Sequence, residues 1–164
     1  MQRLKSFLLS LIVLFVLWLA IAGANRDEII AGGAVALLIS LLFGRNLALL
    51  SELRLTPRAL LRMPVYLLVF LIELIKSAVD VSRRVLSPSL PIHPGIVKVR
   101  TRLKSRLGRI ILANSITLTP GTMVVETAGE YFYIHWIDIT APDIEAATES
   151  IVRKFEAHLE VIFG

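Results

Sequence analysis

The sequence predicts a membrane α-helical hairpin of two spans, with a third span as an alternative, followed by a small cytoplasmic α+β domain in the order β-α-β-β-α. Two uncharged runs near the start predict the hairpin: Ser6–Asn25 and Ile29–Gly44, which only three charged residues separate. A change of hydrophobic period after Pro91, from helical spacing to alternation, predicts the α+β domain.

The composition agrees with a membrane part joined to one folded domain. Of 164 residues, 55% are hydrophobic, and a mean hydropathy of +0.73 exceeds that of ordinary soluble domains. Cysteine is absent, which excludes disulfides, iron–sulfur ligation by this chain and thiol catalysis. The net charge of +5 is compatible with nucleic-acid binding and with the basic cytoplasmic side of membrane proteins.

The predicted spans cover about residues 6–24 and 28–44. About 20 apolar helical residues match a hydrocarbon core of roughly 30 Å. The second run is shorter and spans if Arg45 extends to a headgroup or the bilayer thins slightly. A cleaved signal peptide is the alternative, since Arg3 and Lys5 precede the first run and Ala22–Ala24 resembles a cleavage site. The second apolar run favours the hairpin.

Basic residues predict the topology. Arg3 and Lys5 precede the first span, and a larger set follows the second span: Arg45, Arg54, Arg58 and Arg62. The positive-inside rule therefore places the N-terminus and the C-terminal domain in the cytoplasm.

Residues 58–86 predict an amphipathic helix at the membrane interface or against a partner, with a third span as the alternative. Its charged face contains Glu73, Lys76, Asp80, Arg83 and Arg84. Residues 1–86 thus form the predicted membrane region.

Residues 87–94 form a predicted proline-containing linker, and residues 95–164 form the α+β domain. The domain should contain a strand with one basic face over 97–104, a helix over 107–116, strands over 122–127 and 131–139, and a helix that Thr140 caps. That last helix carries an apolar stripe: Ile144, Ala147, Ile151, Phe155, Leu159 and Ile162.

The residues predict no catalytic, cofactor or metal site. His93, His135 and His158 lack metal-ligand spacing, and the hydroxyls between 115 and 119 lack a neighbouring base. Neither uncharged run, 6–25 or 29–44, contains an ionisable residue, as a proton pathway would require. For the basic strand, anionic lipid or an acidic partner is favoured over nucleic acid.

The segment Gly108–Thr122 resembles the most recognisable stretch of the E subunit of Mrp-type multisubunit cation/proton antiporters. The resemblance extends over nearly the whole chain, including His93-Pro94-Gly95 and His135-Trp136. Its central run is interpreted as a structural or subunit-contact motif, whose polar groups bond local backbone as the helix ends: Asn114, Ser115, Thr117, Thr119, Pro120 and Gly121.

The resemblance implies an accessory, non-catalytic subunit in the prokaryotic cytoplasmic membrane. Its complex would be a multisubunit Na+/proton antiporter or a related hydrogenase-like respiratory complex, in which the large subunits carry out transport. Its partners would be the other subunits and membrane lipids, without a cofactor, nucleic acid or small-molecule substrate of its own. The alternative is a freestanding membrane-anchored adaptor whose basic domain binds anionic lipid or an acidic partner.

Overall fold

The computed structural model describes residues 2–43 and 52–164 and divides the chain into two compact units, Met1–Leu53 and Arg54–Gly164. Gly44 and Arg45, at the end of the second predicted span, lie outside the described residues.

The first unit is a pair of packed helices, α1 (Gln2–Ala22) and α2 (Arg26–Phe43). Gly23 ends α1 with a φ of 93°, a conformation that glycine adopts without strain. Gly32 lies against the indole of Trp18, so the missing side chain allows close approach. The Trp18 Nε1 donates to Glu28 at 3.0 Å, and Ser10 Oγ donates to the buried Ser40 Oγ at 3.2 Å.

The prediction of membrane-spanning helices is wrong: among the described residues, none of the helices combines the length and the apolar character needed to cross a membrane. Uncharged helix covers 6–22 in α1 and 29–43 in α2, about 25 and 22 Å at 1.5 Å per residue, short of roughly 30 Å. Gly23 ends α1 early, and the first turn of α2 contains three charged residues.

The same finding contradicts the alternative of a third span. Helix α3 extends over Pro57–Leu86, close to the predicted 58–86. Thr56 is its N-cap, and the Thr56 side chain accepts a hydrogen bond from Ala59 N at 3.2 Å. Charged residues on both sides limit the uncharged part of α3 to residues 63–72. These ten residues measure about 15 Å along a helix, half of the roughly 30 Å that a span needs.

The second unit continues from α3 into a three-stranded antiparallel sheet with helices on one face. Its further elements are β1 (Gly95–Arg100), α4 (Arg106–Leu118), β2 (Thr122–Ala128), β3 (Tyr131–Trp136), α5 (Ile144–Thr148), a π-helical turn (Glu149–Arg153) and α6 (Lys154–Phe163). The β-α-β-β-α order agrees with the predicted order. The strand order in the sheet is β1-β3-β2.

The core lies between the sheet and the helices. Strand β3 is central and pairs Val97 with Ile134 on one side and Val124 with Ile134 on the other. Six large side chains of the core are almost fully inaccessible to solvent: Val99, Leu112, Ile116, Phe132, Ile134 and Phe155. The predicted stripe of the last helix is buried except at Ile144, which is 38% exposed.

Several element boundaries differ from the sequence prediction: β1 begins at Gly95 and not at 97, α4 covers Arg106–Leu118 and not 107–116, and β3 ends at Trp136 and not at 139. Strand β1 also ends at Arg100 and not at 104, and beyond it the Arg102 amide donates to the Glu156 carboxylate, so it is not available to a neighbouring strand. Asp143, and not Thr140, caps the following helix, since its carboxylate accepts from Ala146 N at 2.8 Å.

Candidate functional site

The predicted motif lies at the end of α4, where its hydroxyl groups bind the last carbonyls of the helix. Ser115 Oγ donates to Ile111 O at 2.8 Å, and Thr119 Oγ1 donates to Ser115 O at 2.6 Å. Thr122 Oγ1, just after the motif, donates to Ile116 O at 2.7 Å. The last four carbonyls of a helix lack helical N–H partners, so the bonds from Thr119 and Thr122 satisfy groups that would otherwise need water, whereas Ile111 O lies inside the helix.

The chain then turns sharply into β2 at Gly121, which follows Pro120. Its φ is 92°, and its carbonyl accepts from Ile137 N at 2.9 Å. A Cβ added to Gly121 would lie 3.0 Å from Ile137 Cγ2 and 3.4 Å from Val81 Cγ2. Both the backbone conformation and the close approach of Ile137 therefore favour glycine.

Replacing Gly121 with alanine should lower the free energy of unfolding by about 2–3 kcal/mol, since a left-handed conformation and crowding both add cost. Gly129→Ala is the matched control: its φ is +57° but the space around it is open, so about 1 kcal/mol is expected. Urea unfolding followed by Trp136 fluorescence, with Trp18 replaced by Phe, measures both. Equal losses at the two glycines would contradict the role of crowding.

Helix α3 reaches this motif through Tyr66. The Tyr66 hydroxyl hydrogen-bonds the Ser115 hydroxyl, which is buried. Burial raises the pKa of Tyr66, and the bond to Ser115 offsets only part of this effect. The motif thus connects α4 and β2 with α3 inside the second unit.

The predicted charged face of α3 is divided between the domain and the surface. Glu73 accepts from Lys154 of α6 at 2.8 Å and from Lys76 at 3.1 Å. Burial raises the pKa of Glu73, but the hydrogen bonds from the two lysines outweigh it and leave the pKa below 4.5.

Nearer the end of α3, Arg84 binds the domain. Its guanidinium donates to Asp138 at 2.7 Å, to Asp80 at 2.8 Å and to the Pro91 carbonyl at 2.7 Å. His93 Nδ1 lies 3.0 Å from the other Asp138 oxygen. The hydrogen bonds from His93 and then Arg84 hold the pKa of Asp138 below its usual value.

The Glu73 contact predicts an acid-sensitive part of the stability. A carboxylate with a lowered folded-state pKa stabilises above its unfolded pKa, here 4.5, and loses that contribution as pH falls through the folded value. Glu73→Gln should therefore cost about 1 kcal/mol at pH 7 and less below pH ~4. Glu126→Gln, at an exposed strand position, should change stability by under ~0.5 kcal/mol at pH 7. Urea titrations at several pH values measure this, and a pH-independent Glu73 difference would contradict it.

The side of α3 turned away from α6 carries a continuous apolar surface. At 100° per residue, its members occupy one side of the helix, and each is between 41% and 73% exposed in the structure: Leu60, Leu61, Leu67, Leu68, Leu71, Ile72, Ile75 and Val79. We name this set the α3 apolar face. Beside it, the exposed Lys76, Asp80 and Arg83 form a polar border.

Of the predicted motif residues, Ser115 and Thr119 are buried, whereas Asn114 and Thr117 are exposed. Thr117 Oγ1 accepts from Val124 N at 3.2 Å. Sequence reasoning missed Lys154, Asp138 and Glu156 as partners. No sequence signal identifies the pairs Glu73–Lys154, Arg84–Asp138 and Arg102–Glu156, because 81, 54 and 54 positions separate their members.

The histidines lie apart from one another. His93 pairs with Asp138, His135 is exposed on β3, and His158 lies in α6. Burial lowers the pKa of His158, and the positive charge of Arg62 lowers it further. Within residues 2–43 and 52–164, no three histidine or acidic side chains are arranged to hold a metal ion.

Comparisons with known proteins all point to one family. The sequence profile of the Na+/H+ ion antiporter subunit family matches residues 11–162. The E1 subunit of the Na+/H+ antiporter of Staphylococcus saprophyticus is 33% identical over 151 residues, which cover 87% of this chain and 92% of that protein. The E subunit of the Na+/H+ antiporter of Alkalihalophilus pseudofirmus is 44% identical over 95 residues, covering 56% of this chain and 59% of that protein.

A solved structure shares the fold. A chain of the membrane-bound sulfane sulfur reductase, an archaeal respiratory membrane complex, superposes with a TM-score of 0.86 at 38% identity. The match covers 96% of this chain and 99% of that chain.

Proposed function

The chain belongs to the family of Na+/H+ ion antiporter subunits, and from this premise we propose that it is an accessory, non-catalytic subunit of a multisubunit complex. That complex is a monovalent cation/proton antiporter or a related ion-translocating respiratory complex, and the chain supports its assembly and stability. The family match agrees with the resemblance that the motif around Asn114–Gly121 indicated.

The α3 apolar face is the observation that carries this proposal. Monomeric soluble proteins rarely expose large contiguous apolar patches, and such patches mark protein or membrane contacts. Leu61 and Ile75 are 73% and 63% exposed although the opposite side of the same helix packs on α6. A hydrophobic partner subunit that covers this face would gain the free energy of burying it.

The polar groups support a structural role. The Ser115, Thr119 and Thr122 hydroxyls bind backbone carbonyls, and Glu73 and Arg84 bind Lys154 and Asp138. The two ion pairs and the Tyr66–Ser115 hydrogen bond hold α3 against the domain and so keep the α3 apolar face presented to a partner. Transport itself belongs to the partner subunits.

The complex lies in the prokaryotic cytoplasmic membrane, with the N-terminus and the α+β domain on its cytoplasmic side. A similar chain comes from an archaeal respiratory membrane complex, which supports this location. The net charge of +5 supports this side, because the cytoplasmic leaflet is rich in anionic lipids that attract basic residues.

Affinity purification of the tagged chain from its native host tests the proposal. Leu68→Glu with Ile75→Glu places two charges on the α3 apolar face and should reduce copurification of partner subunits about tenfold or more, because burying a charge against an apolar partner is costly. Leu68→Met with Ile75→Met keeps the face apolar and should retain the partners. Both positions are exposed, so the unfolding midpoint should stay unchanged in each variant.

Three results would contradict the proposal. Unchanged copurification of the two-glutamate variant would show that the α3 apolar face is not the contact. Loss of cation/proton exchange in a fully assembled complex carrying Glu73→Gln would contradict a non-catalytic role. A chain that purifies alone from the native host would favour the freestanding adaptor.

A further inference from the structure

A cleft beside the start of α4 is lined by three basic side chains. Its volume is about 480 Å³, and Lys104, Arg106 and Arg109 line it together with Ile110, Ala113, Thr127, Gly129 and Phe132. Among the residues that the structure describes, the lining contains no carboxylate. A concave surface with cations alone attracts an anion.

These cations are available to a ligand. Lys104 and Arg106 are exposed, and within the described parts of the chain none of the three basic groups forms an ion pair. The Arg109 guanidinium lies 5.3 Å from the centroid of the Phe132 ring. Stacking on the ring positions this planar donor without using its hydrogen-bonding groups.

A neighbouring cleft of about 770 Å³ shares Lys104 and Arg109 but differs in charge. Its lining includes Glu130, Glu145 and Glu149. Arg100 on that side already binds Glu130 at 3.0 Å. The favourable position for an anion is therefore the carboxylate-free cleft.

We propose that the carboxylate-free cleft binds the phosphate group of an anionic glycerophospholipid. Arginine forks match phosphate oxygens in pairs, and a lysine adds a compact charge. The apolar wall of Ile110, Ala113 and Phe132 suits the glycerol and first acyl carbons better than a second acidic group. The choice of a membrane lipid rests on the proposed function, which places this domain at a membrane.

Calorimetric titration of the purified full chain in a non-ionic detergent tests the site. The probes are short-chain phosphatidylglycerol, short-chain phosphatidylcholine, inorganic phosphate and a polyglutamate peptide. Phosphatidylglycerol should bind most tightly. Lys104→Gln with Arg106→Gln should weaken that binding about tenfold or more. Arg58→Gln with Arg83→Gln removes the same charge from exposed positions of α3 and should weaken it less than about twofold.

Each other outcome overturns the inference. Equal losses in the two double variants would mean that net charge, and not the cleft, attracts the lipid. Inorganic phosphate that binds as tightly as phosphatidylglycerol would assign the cleft to a soluble phosphate ester, and tighter binding of the peptide would assign it to an acidic protein. Partner copurification is measured separately, so a failure of lipid binding with the assembly result intact leaves the proposed function standing.

Discussion

Replacing Glu156 with alanine is expected to lower the free energy of unfolding of the second unit by about 3 kcal/mol. Glu156 is 1% exposed, and one carboxylate oxygen accepts from the Thr101 hydroxyl and the Arg102 amide, each at 2.6 Å. The other oxygen pairs with Arg153. Alanine would leave these donors without their acceptor in a site that water reaches poorly.

The measurement is urea unfolding followed by Trp136 fluorescence in the Trp18→Phe background. Glu149→Ala is the matched control, because Glu149 lies in the adjacent π-helical turn and is exposed, so its removal should cost less than about 0.5 kcal/mol. Glu156→Gln keeps an acceptor but not the charge and should fall between the two. Equal stability of the Glu149 and Glu156 alanine variants would contradict the role of this carboxylate.

Phe155→Ala is expected to cost about 3–5 kcal/mol, the range for emptying a buried aromatic site. Phe155 is 1% exposed, and its ring centroid lies 6.4 Å from that of Phe70 on α3, with the planes tilted by 53°. The variant therefore loses both core packing and the ring contact that joins α3 to the domain.

A double-mutant cycle with Phe70→Ala separates these two effects. Phe70 is partly exposed, so its replacement should cost less than that of Phe155. The two changes should couple by about 0.5–1.5 kcal/mol. Limited proteolysis of Phe155→Ala should also cut α3 faster than in the unchanged chain. Strict additivity, with unchanged proteolysis, would contradict a contact that holds α3 in place.

Local pattern predicted much of the second unit. Alternation identified β1, Pro120-Gly121 identified the turn before β2, and the spacing of Ile151, Phe155 and Leu159 identified the buried side of the last helix. These features are readable because periodicity and turn chemistry act between residues close in sequence.

Apolar content alone led to the wrong prediction that the first two helices span a membrane. The runs at 6–25 and 29–44 indicated spans, but a span also depends on where a helix begins and ends. Gly23 ends α1 before the first uncharged run ends, and a count of apolar residues does not contain the position at which a helix stops.

The sequence by itself determined the elements of the second unit, their order and the angular position of each side chain on its own helix. Only the tertiary structure decided which side of α3 contacts the domain, that Glu73 pairs with Lys154, and that Glu156 accepts hydrogen bonds from the segment after β1. The physical reason is that helical periodicity gives only the angular position of a side chain about its own helix axis. Which residue that side chain contacts depends on packing between segments far apart in the chain. The same packing leaves the α3 apolar face open.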